Sequence, residues 1–366
     1  MARLIVCALA VLCPEAALRA DDAEDRAVAF VEKLGGRVTR DAKAPGKPVV
    51  GVDLNGTRVT DADLKELAAL PGLTSLDLSG TEVTDAGLKE LAALPTLTDL
   101  DLGLTRVTDA GLEQLAALKT LTALNLFGAS RVTDAGLKEL AALTNLTALH
   151  LSATPVTDAG LKELAALTNL TALHLGGTPV TDAGLKELTA LKRLVTLDLG
   201  NTKVSDAGLK DLAALPNLAT LHLGAPVTDA GLKDLAALPK LTALHLVCAQ
   251  VTDTGLKELA ALKQLTTLDL TSTRATDAGL KELAALKTLS TLDLSHTKVT
   301  DAGLKELAFL PNLSTLKLND TPVSDAGLKQ LAALDKLNRL EISSTRVTDA
   351  GVKELQQALP KCLIRY

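Results

Sequence analysis

Leucine recurs along most of the chain in two alternating rhythms. From Leu146 to Leu167 the sequence reads LTALHLSATPVTDAGLKELAAL. Its opening, with Leu146, Leu149 and Leu151, alternates as a strand that buries one face. Its close places Leu161, Leu164, Ala165 and Leu167 along one side of a short helix. Between the two lies Thr157–Asp158–Ala159–Gly160, and a two-residue joint leads into the next copy. The V-T-D-A-G-L core or a near variant recurs thirteen times, with its aspartate at Asp61, Asp85, Asp109, Asp134, Asp158, Asp182, Asp206, Asp229, Asp253, Asp277, Asp301, Asp325 and Asp349. The step is 24 residues, except 25 into Asp134 and 23 into Asp229.

One such unit cannot bury its own leucine face, so units must stack strand beside strand into a solenoid. Strands pack about 4.8 Å apart, whereas helices need roughly 8–10 Å. The predicted fold is therefore an α/β right-handed solenoid, with thirteen strands in a parallel sheet on the concave face and short helices on the convex face. The position before each aspartate is Thr, or Ser at Ser205 and Ser324. Exchange confined to hydroxyl residues predicts a helix N-cap. The aspartate then sits at the positive end of the helix dipole.

The consensus Leu-x-x-Leu-x-Leu-x-x-Thr-x-Val-Thr-Asp-x-Gly-Leu resembles the leucine-rich repeat family. It is most similar to the ribonuclease-inhibitor-like and cysteine-containing subtypes, and to bacterial exported proteins built from near-identical TDAGLKELAAL units. The resemblance covers about residues 49–358 and implies a horseshoe that binds proteins through its concave face. One departure stands out. The family usually places Asn or Cys where this chain has Thr57, Thr81, Thr105, Thr154, Thr178, Thr202, Thr273, Thr297, Thr321 and Thr345. A threonine hydroxyl is expected to bond loop backbone in their stead. Ala129, Ala225 and Ala249 lose that bond, so local kinks are expected there.

The ends of the stack need covers. Asp22–Leu34 reads as an amphipathic helix with Ala23, Ala27, Phe30, Val31 and Leu34 on one side. GGRVTRDAKAPGKPVVGVDL then predicts a strand, a turn and the first ladder strand. The expected organisation is a signal peptide over 1–20, an N-terminal cap over 21–48, thirteen repeats over 49–358 and a thin C-terminal cap over 359–366. The signal reading rests on Arg3, an apolar Leu4–Cys13 too short to span a bilayer, and Ala20 before an acidic stretch. Leu18 is larger than the cleavage motif prefers. Export follows, and no other segment is long and apolar enough to cross a membrane. Cys248 and Cys362 would lie about five rungs apart, beyond the reach of a disulfide, which needs Cα atoms within about 7 Å.

Composition narrows the function. Hydrophobic residues make up 47% but aromatics only 1%, so small aliphatic layers fill the core. A net charge of −6 with no Trp and one Tyr leaves little for phosphate neutralisation or base stacking, which argues against nucleic acid. Inward leucines force the residues between them onto the concave wall. One slot there, rung by rung, reads Asp53, Asp77, Asp101, Asn125, His150, His174, Asp198, His222, His245, Asp269, Asp293, Lys317, Glu341. The first eleven are the candidate binding residues. Stacked carboxylates repel one another across a sheet, so retaining them points to a basic protein partner or a cation; the alternative is a tolerant, solvated slot copied by duplication.

Chemistry is harder to find. A triad drawn from Ser152, His150 and Asp198 would lack burial and orientation on an open sheet. No phosphate-binding glycine loop or helical metal motif occurs, and the histidine row offers zinc two or three ligands where four are wanted. No catalytic residue, metal or cofactor is expected, and His296 reads as a loop surface residue. The expectation is a non-enzymatic, monomeric, exported repeat protein with an unidentified protein partner. An envelope spacer without a ligand is the first alternative, since Phe127 is the only aromatic on the wall and binding hot spots favour Trp, Tyr and Arg. A substrate receptor resembling F-box repeat proteins is the second, and no F-box-like helical segment supports it.

Overall fold

A computed structural model describes residues 14–247 and 250–366, with backbone only for 14–21. Each Leu-x-x-Leu-x-Leu stretch forms one short strand, and the strands join in sequence order into a single sheet of fifteen. Arg37–Arg40 opens it antiparallel to Val49–Asp53, and each later strand pairs in parallel with the one before it, ending at Leu363–Arg365. The thirteen expected ladder strands are thus extended by a reversed strand ahead and a parallel one behind. Leucines stack in register, as in Leu124 on Leu149 on Leu173, and form a continuous buried column.

The outer segments are helical in two grades. Asp158–Glu163 is α-helix and Leu164–Ala166 tightens to 3₁₀. The tighter turn closes the element by a Leu167 N–H bond to the Leu164 carbonyl at 2.9 Å, satisfying an end group that an α-helix would leave open. The Asp61–Ala69 segment is 3₁₀ throughout.

The hydroxyl column caps these helices as expected. Thr157 Oγ1 accepts from the Ala159 N–H at 3.3 Å. It also does something the spacing alone does not show. Thr157 donates its N–H and its hydroxyl to the two oxygens of Asp134, one rung earlier, at 2.7 and 2.6 Å. The same double bond joins every neighbouring pair from Asp61–Thr84 to Asp325–Thr348. Glycine belongs to the arrangement: a Cβ on Gly160 would lie 2.5 Å from Asp134 Oδ1 and 2.9 Å from Leu137 Cδ1. Thr-Asp-x-Gly is therefore a clasp in which each rung's Thr and Gly receive the previous rung's Asp. The first rung tests this. It reads Thr60–Asp61–Ala62–Asp63, with no earlier aspartate to receive, and Asp63 stands where the glycine would be. Its carboxylate accepts the Thr60 N–H at 2.9 Å and hydroxyl at 2.7 Å. The end rung supplies its own clasp.

The buried threonines bond loop backbone as expected, for example Thr154 Oγ1 to the Leu151 carbonyl at 2.6 Å. At Ala225 the irregularity is an extension of the ladder rather than a kink. Thr220–Gly224 runs five residues where most strands run three, because its shorter loop leaves no residue for the left-handed turn, and Ala243–Val247 runs five beside it, pairing Val247 with Gly224. A Cβ on Gly224 would sit 2.5 Å from the Asn201 nitrogen, so the close approach requires glycine. Cys248 and Ala249 lie outside the described residues.

The N-terminal helix spans Pro14–Lys33, beginning eight residues before the expected Asp22 and running through residue 20. Proline suits a first turn, where its missing N–H costs nothing, and the Ala- and Glu-rich stretch behind it favours helix. Ala27 and Val31 seat it on the core. The expected signal falls largely on residues outside those described. Among the described residues no helix is long and apolar enough to cross a membrane.

Candidate functional site

Strand register places the slot residues in one line. Asp53 lies beside Asp77, then Asp101, Asn125, His150, His174, Asp198, His222, His245, Asp269, Asp293, Lys317 and Glu341. All are half-buried. The row divides into an acidic start, a histidine centre and a mixed end, where Lys317 Nζ stands 3.2 Å from Asp293.

The acidic members have local work. Asp53, Asp77, Asp101, Asn125, Asp198, Asp269 and Asp293 each accept the N–H two residues on, at 2.8–3.0 Å. These side-chain turns close the loop after the strand. At two rungs the same oxygen also takes the hydroxyl of that next wall residue, Ser79 on Asp77 and Thr271 on Asp269, whereas the Ser295 hydroxyl beyond Asp293 instead accepts from Asn319 at 3.4 Å. Histidine has no oxygen to offer. Ser152, two residues beyond His150, is 7% exposed, and its hydroxyl has no hydrogen-bond partner. Leaving such a group unmet costs about 1–3 kcal/mol, so the His150 rung gives up something the Asp77 and Asp269 rungs keep.

In exchange the histidines form an aromatic strip. Phe127, His150 and His174 follow one another at centroid separations of 5.6 and 4.9 Å, both tilted. Across Asp198, His222 and His245 stack at 4.1 Å. His174 Nδ1 stands 3.9 Å from Asp198 Oδ2, and His245 Nδ1 3.5 Å from Asp269 Oδ2. Burial, then the neighbouring His174, lowers His150 below its ordinary 6.5 against the pull of Asp198 and Asp101. Burial and His245 lower His222 in the same way, with His174 adding to them and Asp198 and Asp269 opposing. Burial works to raise Asp198, but the nearby His174, the bond from the Gly200 N–H and the neighbouring His222 outweigh it and hold the carboxyl low. Asp269 is held low likewise by His245 and Thr271.

The triad drawn from the sequence does not assemble. His174 intervenes between His150 and Asp198, and Ser152 bonds to neither. Among the described residues no three His, Cys, Asp or Glu side chains gather as a metal site. His296, the loop residue, meets Asp320 at 2.8 Å.

One feature of the wall is absent from the sequence reading. Leu104 adopts φ +56, a left-handed backbone that costs a branched residue about 1–2 kcal/mol, and its side chain is 59% exposed. Other rungs place Gly56, Gly80, Gly128 or Gly177 at this position, or the smaller or polar Ala153, Asn201, Ser272, His296, Asp320 and Ser344 in the same left-handed conformation. Leu104 sits beside Phe127, to whose carbonyl its N–H donates at 2.7 Å. A leucine in place of glycine was the available signal, visible only once the loop conformation is known.

Comparison with known proteins gives a match to the leucine-rich repeat region model over residues 110–352, well over half of the chain, and to the leucine rich repeat model over 71–92 and 93–116. No curated protein matches. Among solved structures the chain is similar to an internalin (inlF) from Listeria monocytogenes, with 24% identity, 94% of each chain covered and a TM-score of 0.64. It also matches an internalin C2 (inlC2) of that organism at 29% identity over 60% of this chain and 92% of the other, with a TM-score of 0.47. The first of these likenesses is one of fold.

Proposed function

The chain belongs to the leucine-rich repeat family, and on that footing we propose that it is a non-enzymatic, exported binding protein whose inner wall receives a protein partner. The observation that carries this reading is the orphaned Ser152 hydroxyl beside His150. A slot filled for folding alone would keep the aspartate that closes the turn at Asp77 and Asp269. The histidine that takes its place at residue 150, and the row it begins, serve something outside the chain. The candidate binding residues are those of the row from Asp53 to Asp293.

The proposal includes a signal over 1–20, a cap over 21–48, the array over 49–358 and a closing cap over 359–366, in a monomer of the ribonuclease-inhibitor-like subtype. Site-specific photo-crosslinking in the native host tests the binding face. A photoreactive residue at 174 should give a discrete adduct, and one at 162 on the outer helix should not. Adducts from 162 alone, or none from either, would reject the wall and leave the spacer reading.

A further inference from the structure

Resting on that reading, we infer that one stretch of the wall, centred on Ala123, Ala148 and Ala172, receives an extended partner segment that presents an arginine or lysine next to an apolar side chain. These alanines stand side by side in the wall column that precedes the slot. They form a shallow floor flanked on the slot side by Phe127, His150 and His174. At one end the same column meets Asp99, the direct neighbour of Ala123. At the other it meets Thr196. The trough is apolar along its length and charged at one end.

Three observations fix the chemistry of its occupant. First, Asp99 shares its strand with Asp101 and lies next to the strand that carries Asp77, and among the described residues its carboxylate meets neither a donor nor a cation. Burial, and then the charges of Asp101 and Asp77, raise its pKa, so a positive charge placed there relieves an existing repulsion. Second, Phe127 and Leu104 are exposed at 39% and 59% on the opposite border. Third, His150 and His174, half-buried and tilted against one another at 4.9 Å, carry the aromatic border on from Phe127 beside the same floor. The Asp99 carboxylate suits a guanidinium or ammonium, and Phe127, four residues beyond Ala123 on the neighbouring strand, suits the apolar side chain presented next to it. The distal His222–His245 pair has no comparable floor, since Thr220 takes the alanine's place on one of its two strands.

The test uses the full chain and a phage-displayed library of short random peptides. Enriched peptides should carry Arg or Lys within a few residues of Leu, Ile or Phe. Their affinity should fall about tenfold or more on Asp99→Asn and on Phe127→Ser, as loss of a charge-assisted contact or an aromatic anchor does. It should hold within about twofold on Lys162→Ala, an exposed change on the outer helix that leaves these contacts intact. Asp99→Asn is an exposed, nearly isosteric change, so it reads the site even if Phe127→Ser disturbs the fold. Enriched peptides without a cation, or peptides that depend on His222 and His245 and ignore Asp99, would overturn the trough while leaving the wall as the binding face. Peptides indifferent to every wall substitution, or no enrichment, would overturn both.

Discussion

Two columns of the same repeat behave in opposite ways. Along the helix starts, Thr or Ser, then Asp, recurs in every rung, and every aspartate but the last holds the next rung's hydroxyl and N–H. Along the inner wall, the slot reads Asp, Asn, His, Lys or Glu over the same stack. Both columns face water in part and both use carboxylates as acceptors. They differ in reach. The clasp bonds across rungs about 24 residues apart in sequence, so changing one partner breaks a contact in the neighbouring unit. The slot's turn bond stays within its own rung, so its loss is confined and a different side chain can be fitted there. Variation in a near-identical repeat therefore marks where the chain is free to face a partner.

Breaking the clasp should produce the largest effects. Asp134→Ala removes the acceptor for both the N–H and the hydroxyl of Thr157. At about 1.5–3 kcal/mol for a bond to a charged group, partly screened at this half-exposed site, the loss should reach about 3 kcal/mol in denaturant unfolding. Gly160→Ala drives a methyl against that carboxylate and should cost about 2 kcal/mol. In combination with Asp134→Ala its penalty should shrink, because the clashing oxygens are gone; undiminished additivity in that double-mutant cycle would refute the steric account. Thr157→Val should lose about 2 kcal/mol, since the hydroxyl is both cap and clasp, while Thr157→Ser should lose little. Equal losses from both would point away from the hydroxyl. Hydrogen exchange should localise each effect to the rungs around the substitution.

Much of this was legible in the sequence. Leucine alternation specified the strands, hydroxyl-only exchange specified the caps, and inward leucines put His150, His174, His222 and His245 on one wall. What stayed hidden needed register. The Thr157–Asp134 bond joins residues 23 apart, and local patterning explained both residues fully as cap and dipole partner. The turn bonds of Asp77 and Asp269 were hidden because a solvated aspartate and a bonded one read alike. Leu104 was hidden because a left-handed residue other than glycine carries no mark in sequence. The helix start at Pro14 was missed because the signal reading claimed those residues first.

Acidification should give a smaller effect, confined to the wall. His150 and His222 carry folded-state values below the ordinary 6.5. Their neutral forms thus favour the fold above 6.5, and this contribution is lost as pH falls through the lowered values. Asp198 and Asp269, also held low, lose theirs only at more acidic pH, as it falls below the ordinary carboxylate range. Stability should therefore decline between neutral pH and pH about 5, and His150→Asn/His222→Asn should flatten that slope. A slope unchanged in the variant would place its origin elsewhere.

The most direct test of the contrast is thermal unfolding of His150→Asp beside the parent at neutral pH. Its neighbours in the row are Asn125 and His174, so the new carboxylate faces no like charge on either adjacent strand. It restores an acceptor for the Ser152 N–H and hydroxyl at the expense of the ring contacts with Phe127 and His174. If the histidine is held for a partner against the interest of the fold, the variant should be more stable than the parent by about 1 kcal/mol. A variant less stable than the parent would make histidine the better structural residue at that rung, and the row would then need no ligand to explain it.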